Sequence, residues 1–321
     1  MHVIIQQDLL DRSRAVFETS GLTMHGFALS DIDGMLACQR DTGAKAFIIG
    51  ANQYPEHFFE SIAPGSLIMR YGVGYNAVPV ARCKERGVFV AYTPGTLDAS
   101  VAEHTMGLIM DCARHIAHKH AEMKQNVWAG VSGIELEGKT LAVIGFGNIG
   151  KRLAKIAKHG FGMRITAYGR KPALSAEDAS LTDVYTTDFK TAVDDAAVVA
   201  LTMGVTDTNK GFIDASKLAL MRNDAIFVNT ARGVLVNEGD LYDALAAHRI
   251  ACAGIDVFTT EPYVPVGGND LRTLDNVVLT PHVGSNTDAA NRRMAEACVR
   301  SVVAFGEGRM GGVVMVPEQR G

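Results

Sequence analysis

The chain has 321 residues, 47% of them hydrophobic and 21% charged, with a formal net charge of −4. That length suggests about two domains, and the mild acidity gives no electrostatic case for nucleic acid or an anionic membrane as a partner. No apolar run approaches the roughly eighteen residues that a membrane span needs.

The opening Met1-His-Val-Ile-Ile-Gln-Gln-Asp8 lacks a basic region and reads as a first strand, not a signal peptide. Cys38, Cys83, Cys112, Cys252 and Cys298 are widely spaced and form no CxxC, which suggests reduced thiols and a cytoplasmic location. His115, His118 and His120 cluster without HExxH or Cys/His spacing, so they read as solvated helix-face histidines and no metal site is expected.

In the first hundred or so residues, short apolar runs alternate with amphipathic stretches. The runs are Val3–Ile5, Ala46–Ile49, Leu67–Met69 and Val88–Ala91, the pattern of a small α/β unit. Tyr92-Thr-Pro-Gly95 breaks it, and a long helical stretch is expected from Ser100 to Lys124. From Lys139 the alternation restarts. Strands are expected at Leu141–Ile144, Arg164–Tyr168, Val198–Met203, Ala225–Asn229, Cys252–Phe258 and Val277–Thr280. Helices are expected at Asn148–His159, Ala215–Leu220, Glu238–Ala247 and Asp288–Phe305, the last long enough to return to the first domain. Continuously apolar strands such as Val198–Leu201 fit a parallel sheet covered on both faces.

Gly145-Phe-Gly-Asn-Ile-Gly150 is a GxGxxG directly after a strand and opening a helix. Gly145 permits the tight turn, Gly147 lets a pyrophosphate approach the backbone, and Gly150 lets helix and strand pack closely. The helix start presents free N–H groups to phosphate. Gly72-Val-Gly-Tyr-Asn-Ala77 matches a similar pattern but runs into Pro79 without a clean helix start. It reads as a decoy whose backbone amides suit a carboxylate. After the second cofactor strand, where NAD-binding proteins place an acid for the ribose hydroxyls, this chain has Gly169-Arg170-Lys171. The missing acid and two cations favour a 2′-phosphate, hence NADP(H) with NAD(H) possible. The alternative is two solvated charges in a turn.

Arg232, Glu261 and His282 each follow an apolar strand, in Asn229-Thr-Ala-Arg-Gly233, Asp256-Val-Phe-Thr-Thr-Glu-Pro262 and Pro281-His-Val-Gly-Ser285. Ligands of open α/β sheets bind beyond the carboxyl ends of the strands. A cation, a carboxylate and a histidine delivered there suit hydride addition to a small 2-oxo acid, which builds an alkoxide needing a cation and a proton donor. Singly, each has a bland reading as surface charge, turn acid or core histidine.

These motifs, with Tyr71-Gly-Val-Gly-Tyr75 and Ser100-Val-Ala-Glu103, closely resemble the D-isomer-specific 2-hydroxyacid dehydrogenase family. The resemblance implies a Rossmann dinucleotide-binding domain, residues 99–287, inserted into a flavodoxin-like substrate domain made of 1–98 and 288–321. It implies a homodimer joined through an arm near 101–135. By motif, Arg232 would hold the substrate carboxylate and carbonyl, and His282 would be the general acid, hydrogen-bonded by Glu261. The Val73 and Gly74 amides would bind the carboxylate, and Asp256 the nicotinamide carboxamide. Asn148, Ile149, Thr202, Thr206, Thr230, His282 and Gly284 complete the implied cofactor contacts.

Two features depart from the family pattern. Thr202-Met-Gly204 stands where a His or Cys followed by proline is common, and the loop at Asn52-Gln53 is unusually polar. Either side chain of that loop is a candidate partner for a polar substrate, with a solvated loop as the alternative. The expectation is an NADPH-dependent reductase of the glyoxylate/hydroxypyruvate type. A phosphoglycerate dehydrogenase-like enzyme is an alternative, weakened by few substrate-domain cations apart from Arg70 and by a chain that ends at Gly321 without an appended regulatory domain. A dinucleotide-sensing co-repressor type of binding protein is the alternative outside enzymes.

Overall fold

A computed structural model describes residues 1–320. The chain divides into two compact units, Met1–Leu97 together with the chain from Asn286 onward, and Asp98–Ser285. The first holds a five-stranded sheet of β1 (His2–Gln6), β2 (Thr23–Phe27), β3 (Ala46–Ile49), β4 (Leu67–Arg70) and β5 (Phe89–Ala91). All its pairings are parallel and its order is β2-β1-β3-β4-β5, the flavodoxin-like arrangement. Every residue of β3 and β4 is buried, as strands covered on both faces require. The sequence reading missed β2, because Thr-Met-His-Gly-Phe is a half-exposed edge with no apolar run. The last helix, Asp288–Gly306, belongs to this unit, where the Asn291 carbonyl accepts from the Tyr71 hydroxyl at 2.7 Å.

The second unit holds β6 (Thr140–Ile144), β7 (Arg164–Tyr168), β8 (Val184–Thr186), β9 (Ala196–Leu201), β10 (Ile226–Asn229), β11 (Cys252–Ile255) and β12 (Val277–Leu279). Its order, β12-β11-β10-β9-β6-β7-β8, reverses direction between β6 and β9. This is the doubly wound Rossmann topology, whose ligand crevice lies at that reversal. Alternate residues feed two cores. Leu141, Val143, Val198 and Val228 pack with Leu108, Ile109 and Cys112 of the helix Asp98–Arg114. Ile144, Leu201 and Phe227 pack on the other face with Leu218 and Leu241. Each such fully buried side chain contributes about 1.5–3 kcal/mol.

The helix Asn148–Phe161 buries Leu153, Ala154 and Ala157 and ends on Gly162 in the left-handed region (φ 62°). Several expected elements differ in extent. The helix after Ser100 stops at Arg114, because His115 takes φ 56° and the Asp111 carboxylate accepts the Ala117 N–H at 2.8 Å, starting a second helix at Ile116–Lys124. β9 runs two residues earlier than expected, releasing Thr202 and Met203 into the crevice loop. β11 stops at Ile255, although Val257 and Phe258 remain buried. Among the described residues, no helix is long and apolar enough to cross a membrane, and no group of three or more potential ligands could hold a metal ion.

Candidate active site

The glycine loop closes the crevice at the β6/β9 reversal. Gly145 has φ 104°, and a Cβ there would lie 2.5 Å from the Met203 backbone. At Gly150 a Cβ would lie 2.4 Å from the Gly145 carbonyl, which also accepts from the Thr202 hydroxyl at 2.7 Å. Thr202 thus fastens the loop from the neighbouring strand. Gly147 caps the following helix, and a Cβ there would meet nothing within 4 Å. This open face, at a helix start with free amides, fits a pyrophosphate. The adjoining cleft of about 670 Å³ is lined by Gly145, Gly147, Gly169, Arg170, Lys171 and Thr206, among others. Asn148 and Ile149 begin the helix, Asn148 exposed and Ile149 half-buried. Arg170 and Lys171 are exposed at the rim.

Beyond the carboxyl ends of β10, β11 and β12 lie Arg232, Glu261 and His282, Glu261 paired with His282 and near enough to Arg232 for its charge to act on the guanidinium. The Asn229 side chain sets the first turn, accepting the Ala231 N–H at 3.0 Å and donating to the Arg232 carbonyl at 3.1 Å. Gly233 allows that turn to press on the chain after β11: a Cβ there would sit 1.9 Å from the Phe258 carbonyl carbon. Burial holds the half-buried Arg232 guanidinium below its ordinary pKa, with the Glu261 charge opposing. Glu261 precedes a cis proline and accepts the Phe258 N–H at 3.0 Å through one oxygen and His282 Nδ1 at 2.6 Å through the other. Burial alone would raise the Glu261 carboxyl, but the hydrogen bonds from His282 and Phe258, with the charge of Arg232, hold it below its ordinary value.

His282 sits at φ 52°, in the left-handed region that few non-glycine residues occupy. Its N–H donates to the Asp256 carbonyl at 2.7 Å. The Asp256 carboxylate then accepts the Val283 and Gly284 amides, each at 2.9 Å, and the Thr280 hydroxyl at 2.6 Å. His104 Nε2 stands 3.3 Å from the same carboxylate and 3.1 Å from the Thr280 hydroxyl. Burial works to raise the Asp256 pKa, yet these donors hold it below the ordinary value. Both oxygens of Asp256 therefore hold the turn carrying His282 and Gly284. Thr230 is also committed: it is buried, and its hydroxyl meets that of Thr105 at 2.8 Å.

In the first unit, Val73 and Gly74 lie in the loop after β4, where Gly72 (φ 135°) donates its N–H to the Thr93 hydroxyl at 2.9 Å. No helix begins until Val80, so this loop lacks the helix start of a phosphate cradle. The Asn52 side-chain oxygen accepts from Gln6 at 3.1 Å, an internal bond that fixes its orientation. The sequence reading passed over His104, Thr280, Glu238 and Tyr185. Glu238 is buried and accepts the Thr259 N–H at 2.5 Å, bracing the segment that carries Glu261. The one sequence signal for His104 was its place directly after Ser100-Val-Ala-Glu103.

Residues 106–284 match the model of the family described as D-isomer specific 2-hydroxyacid dehydrogenase, NAD binding domain. The chain is 39% identical over 238 residues to a hydroxypyruvate reductase of Thermotoga maritima, covering 74% of this chain and 76% of that protein. It is 36% identical over 253 residues to a glyoxylate reductase of Thermococcus litoralis, covering 76% and 75%. A solved glyoxylate reductase from Paecilomyes thermophila has the same fold, with a TM-score of 0.86 at 24% identity over 100% of this chain and 99% of that one.

Proposed function

The chain belongs to the D-isomer-specific 2-hydroxyacid dehydrogenase family and is an oxidoreductase, and from this premise we propose that it is an NADPH-preferring reductase of a small 2-oxo acid of the glyoxylate/hydroxypyruvate type, yielding the D-2-hydroxy acid. The observation that carries this reading is the 2.6 Å pair of His282 and Glu261, with Arg232 near enough for the Glu261 charge to act on it. Arg232 binds the substrate carboxylate and carbonyl through its planar guanidinium. The Val73 and Gly74 amides add carboxylate donors. Glu261 engages Nδ1 of His282, which leaves Nε2 to pass its proton to the carbonyl oxygen. The Arg232 charge favours the alkoxide that develops there. Asp256, with Thr280 and His104 behind it, fixes the backbone from which His282 projects. When bound, the reduced nicotinamide dinucleotide supplies the hydride, with the Gly145–Gly150 loop as its pyrophosphate cradle.

The exposed Arg170 and Lys171, beside a glycine in place of the ribose acid, support NADPH over NADH. Exposed apolar residues between Ile116 and Val131 support a homodimer, and five free cysteines support a reducing, cytoplasmic setting. Steady-state assays with a panel of 2-oxo acids, 3-phosphooxypyruvate included, and both reduced cofactors test the reading. Glyoxylate or hydroxypyruvate with NADPH is expected to give the highest kcat/KM. Preference for the phosphorylated acid would move the chain to the phosphoglycerate class, and no turnover with any acid would make it a binding protein.

A further inference from the structure

A side chain at the position after β7 would meet a residue of the next strand. Tyr185 of β8 pairs in register with Ala167 of β7, two residues before Gly169. A Cβ built on Gly169 would lie 2.7 Å from the Tyr185 hydroxyl oxygen, 3.2 Å from Cε2 and 3.4 Å from Cζ. Gly169 is outside the left-handed region, so its backbone would accept any residue. What a side chain there would meet is the tyrosine, which would have to give up its place. The same hydroxyl donates to the Lys171 carbonyl at 2.8 Å, closing the turn that carries Arg170 and Lys171. Tyr185, Gly169, Arg170 and Lys171 all line the one cleft. The carboxylate that lines this cleft, Asp178, is paired with Lys151 at 2.6 Å.

We propose that Tyr185 is a determinant of cofactor choice. It occupies the space that an acid for the ribose hydroxyls would need, and it pins the turn whose cations meet a 2′-phosphate. This rests on the NADPH reading above. It also means that exchanging Gly169 for an acid does not by itself convert the site to NADH, because the tyrosine must be cut back as well.

The test compares dissociation constants for NADPH and NADH, read from cofactor fluorescence, and the melting temperatures of the cofactor-free proteins. The variants are Tyr185→Phe, Gly169→Asp and the two combined. Tyr185→Phe is expected to weaken NADPH about two- to tenfold, the span of one neutral hydrogen bond, while NADH changes little. Gly169→Asp is expected to lower the melting temperature and weaken both cofactors. The double variant removes the hydroxyl, leaving ring contacts at 3.2 and 3.4 Å that small shifts accommodate. It should regain stability and bind NADH roughly tenfold more tightly than Gly169→Asp alone, through a charge-assisted pair with the ribose diol.

If Gly169→Asp does not fold, Gly169→Ala carries the Cβ alone, and its lost melting temperature should return in Gly169→Ala with Tyr185→Phe. The proposal is overturned if Gly169→Asp binds NADH as tightly as the double variant, if Tyr185→Phe weakens both cofactors equally, or if the alanine variant is not rescued. A wild type that favours NADH would sink the cofactor reading separately, while the comparison of single and double variants still decides whether Tyr185 excludes the acid.

Discussion

Glu261 and His282 are 21 residues apart in sequence and meet at 2.6 Å, each supplied by a different segment beyond the sheet. The pairing engages Nδ1, so in the proposed reaction Nε2 is the nitrogen left for the substrate. His282→Ala is expected to reduce kcat by roughly a hundredfold or more, with cofactor affinity nearly unchanged. Glu261→Gln keeps the shape but replaces the carboxylate that accepts from Nδ1 with an amide, so kcat should fall by roughly tenfold or more while cofactor affinity changes little. An unchanged kcat in Glu261→Gln would rule the pairing out as functional.

Asp256 gives a pH dependence of another kind. Its carboxyl is held below the ordinary value, with the opposing cost of burial outweighed by hydrogen bonds from His104, Thr280, Val283 and Gly284. A depressed folded-state pKa means stability that is fully present above the unfolded value of about 4 and is lost as pH falls through the lower folded value. Asp256→Asn, which turns an amide donor toward backbone N–H groups, is expected to cost about 1–3 kcal/mol at neutral pH. The gap from wild type should shrink below pH about 4, where the carboxyl of the unfolded chain takes up a proton that the folded one resists until lower pH. Denaturant titrations across that range check the sign, and a gap that grows with acid contradicts it.

What was legible in the sequence follows from how each element is covered. β3, β4 and the central strands of the second unit are buried along their whole lengths, so they read as apolar runs. The edge strands β2 and β8 are half-exposed and gave no such signal. The apolar run through Phe258 overstated β11: Phe258 is buried by packing in the core and against the Tyr263 ring, beyond the end of the strand at Ile255. That Arg232, Glu261 and His282 follow strands was legible because it is local in sequence. The supports of His282 were not: His104 lies 178 residues away in sequence, and only folding brings it to Asp256. Tyr185 was hidden for the same reason, because what a side chain at Gly169 would meet lies on another strand.

The arm after His115 carries a testable claim about assembly. Trp128 is 88% exposed, and Ile116, Met123 and Val131 are more than half exposed. In the proposed dimer these side chains would be covered by the partner. Trp128→Ser combined with Val131→Ser is expected to shift a dimer toward monomer in sedimentation velocity. A wild type that sediments as a monomer at every concentration tested would remove the dimer from the reading.

Arg232 separates the substrate class from the general acid. Its guanidinium is half-buried after β10 and sits close enough to Glu261 to feel its charge. In the proposed reaction a planar, two-pronged cation there would hold the substrate carboxylate and carbonyl together and favour the alkoxide that the carbonyl becomes. Arg232→Ala should accordingly raise KM and lower kcat together. Arg232→Lys should recover only part of the loss, because a point charge does not reproduce the bidentate contact. A ketone without the carboxylate should be a poor wild-type substrate and should be less affected by Arg232→Ala than glyoxylate is. Parallel assays of glyoxylate and an uncharged ketone with wild type and both variants decide the point. If the wild type reduces the uncharged ketone as well as glyoxylate, Arg232 is not a carboxylate clamp, and the assignment to 2-oxo acids falls with it.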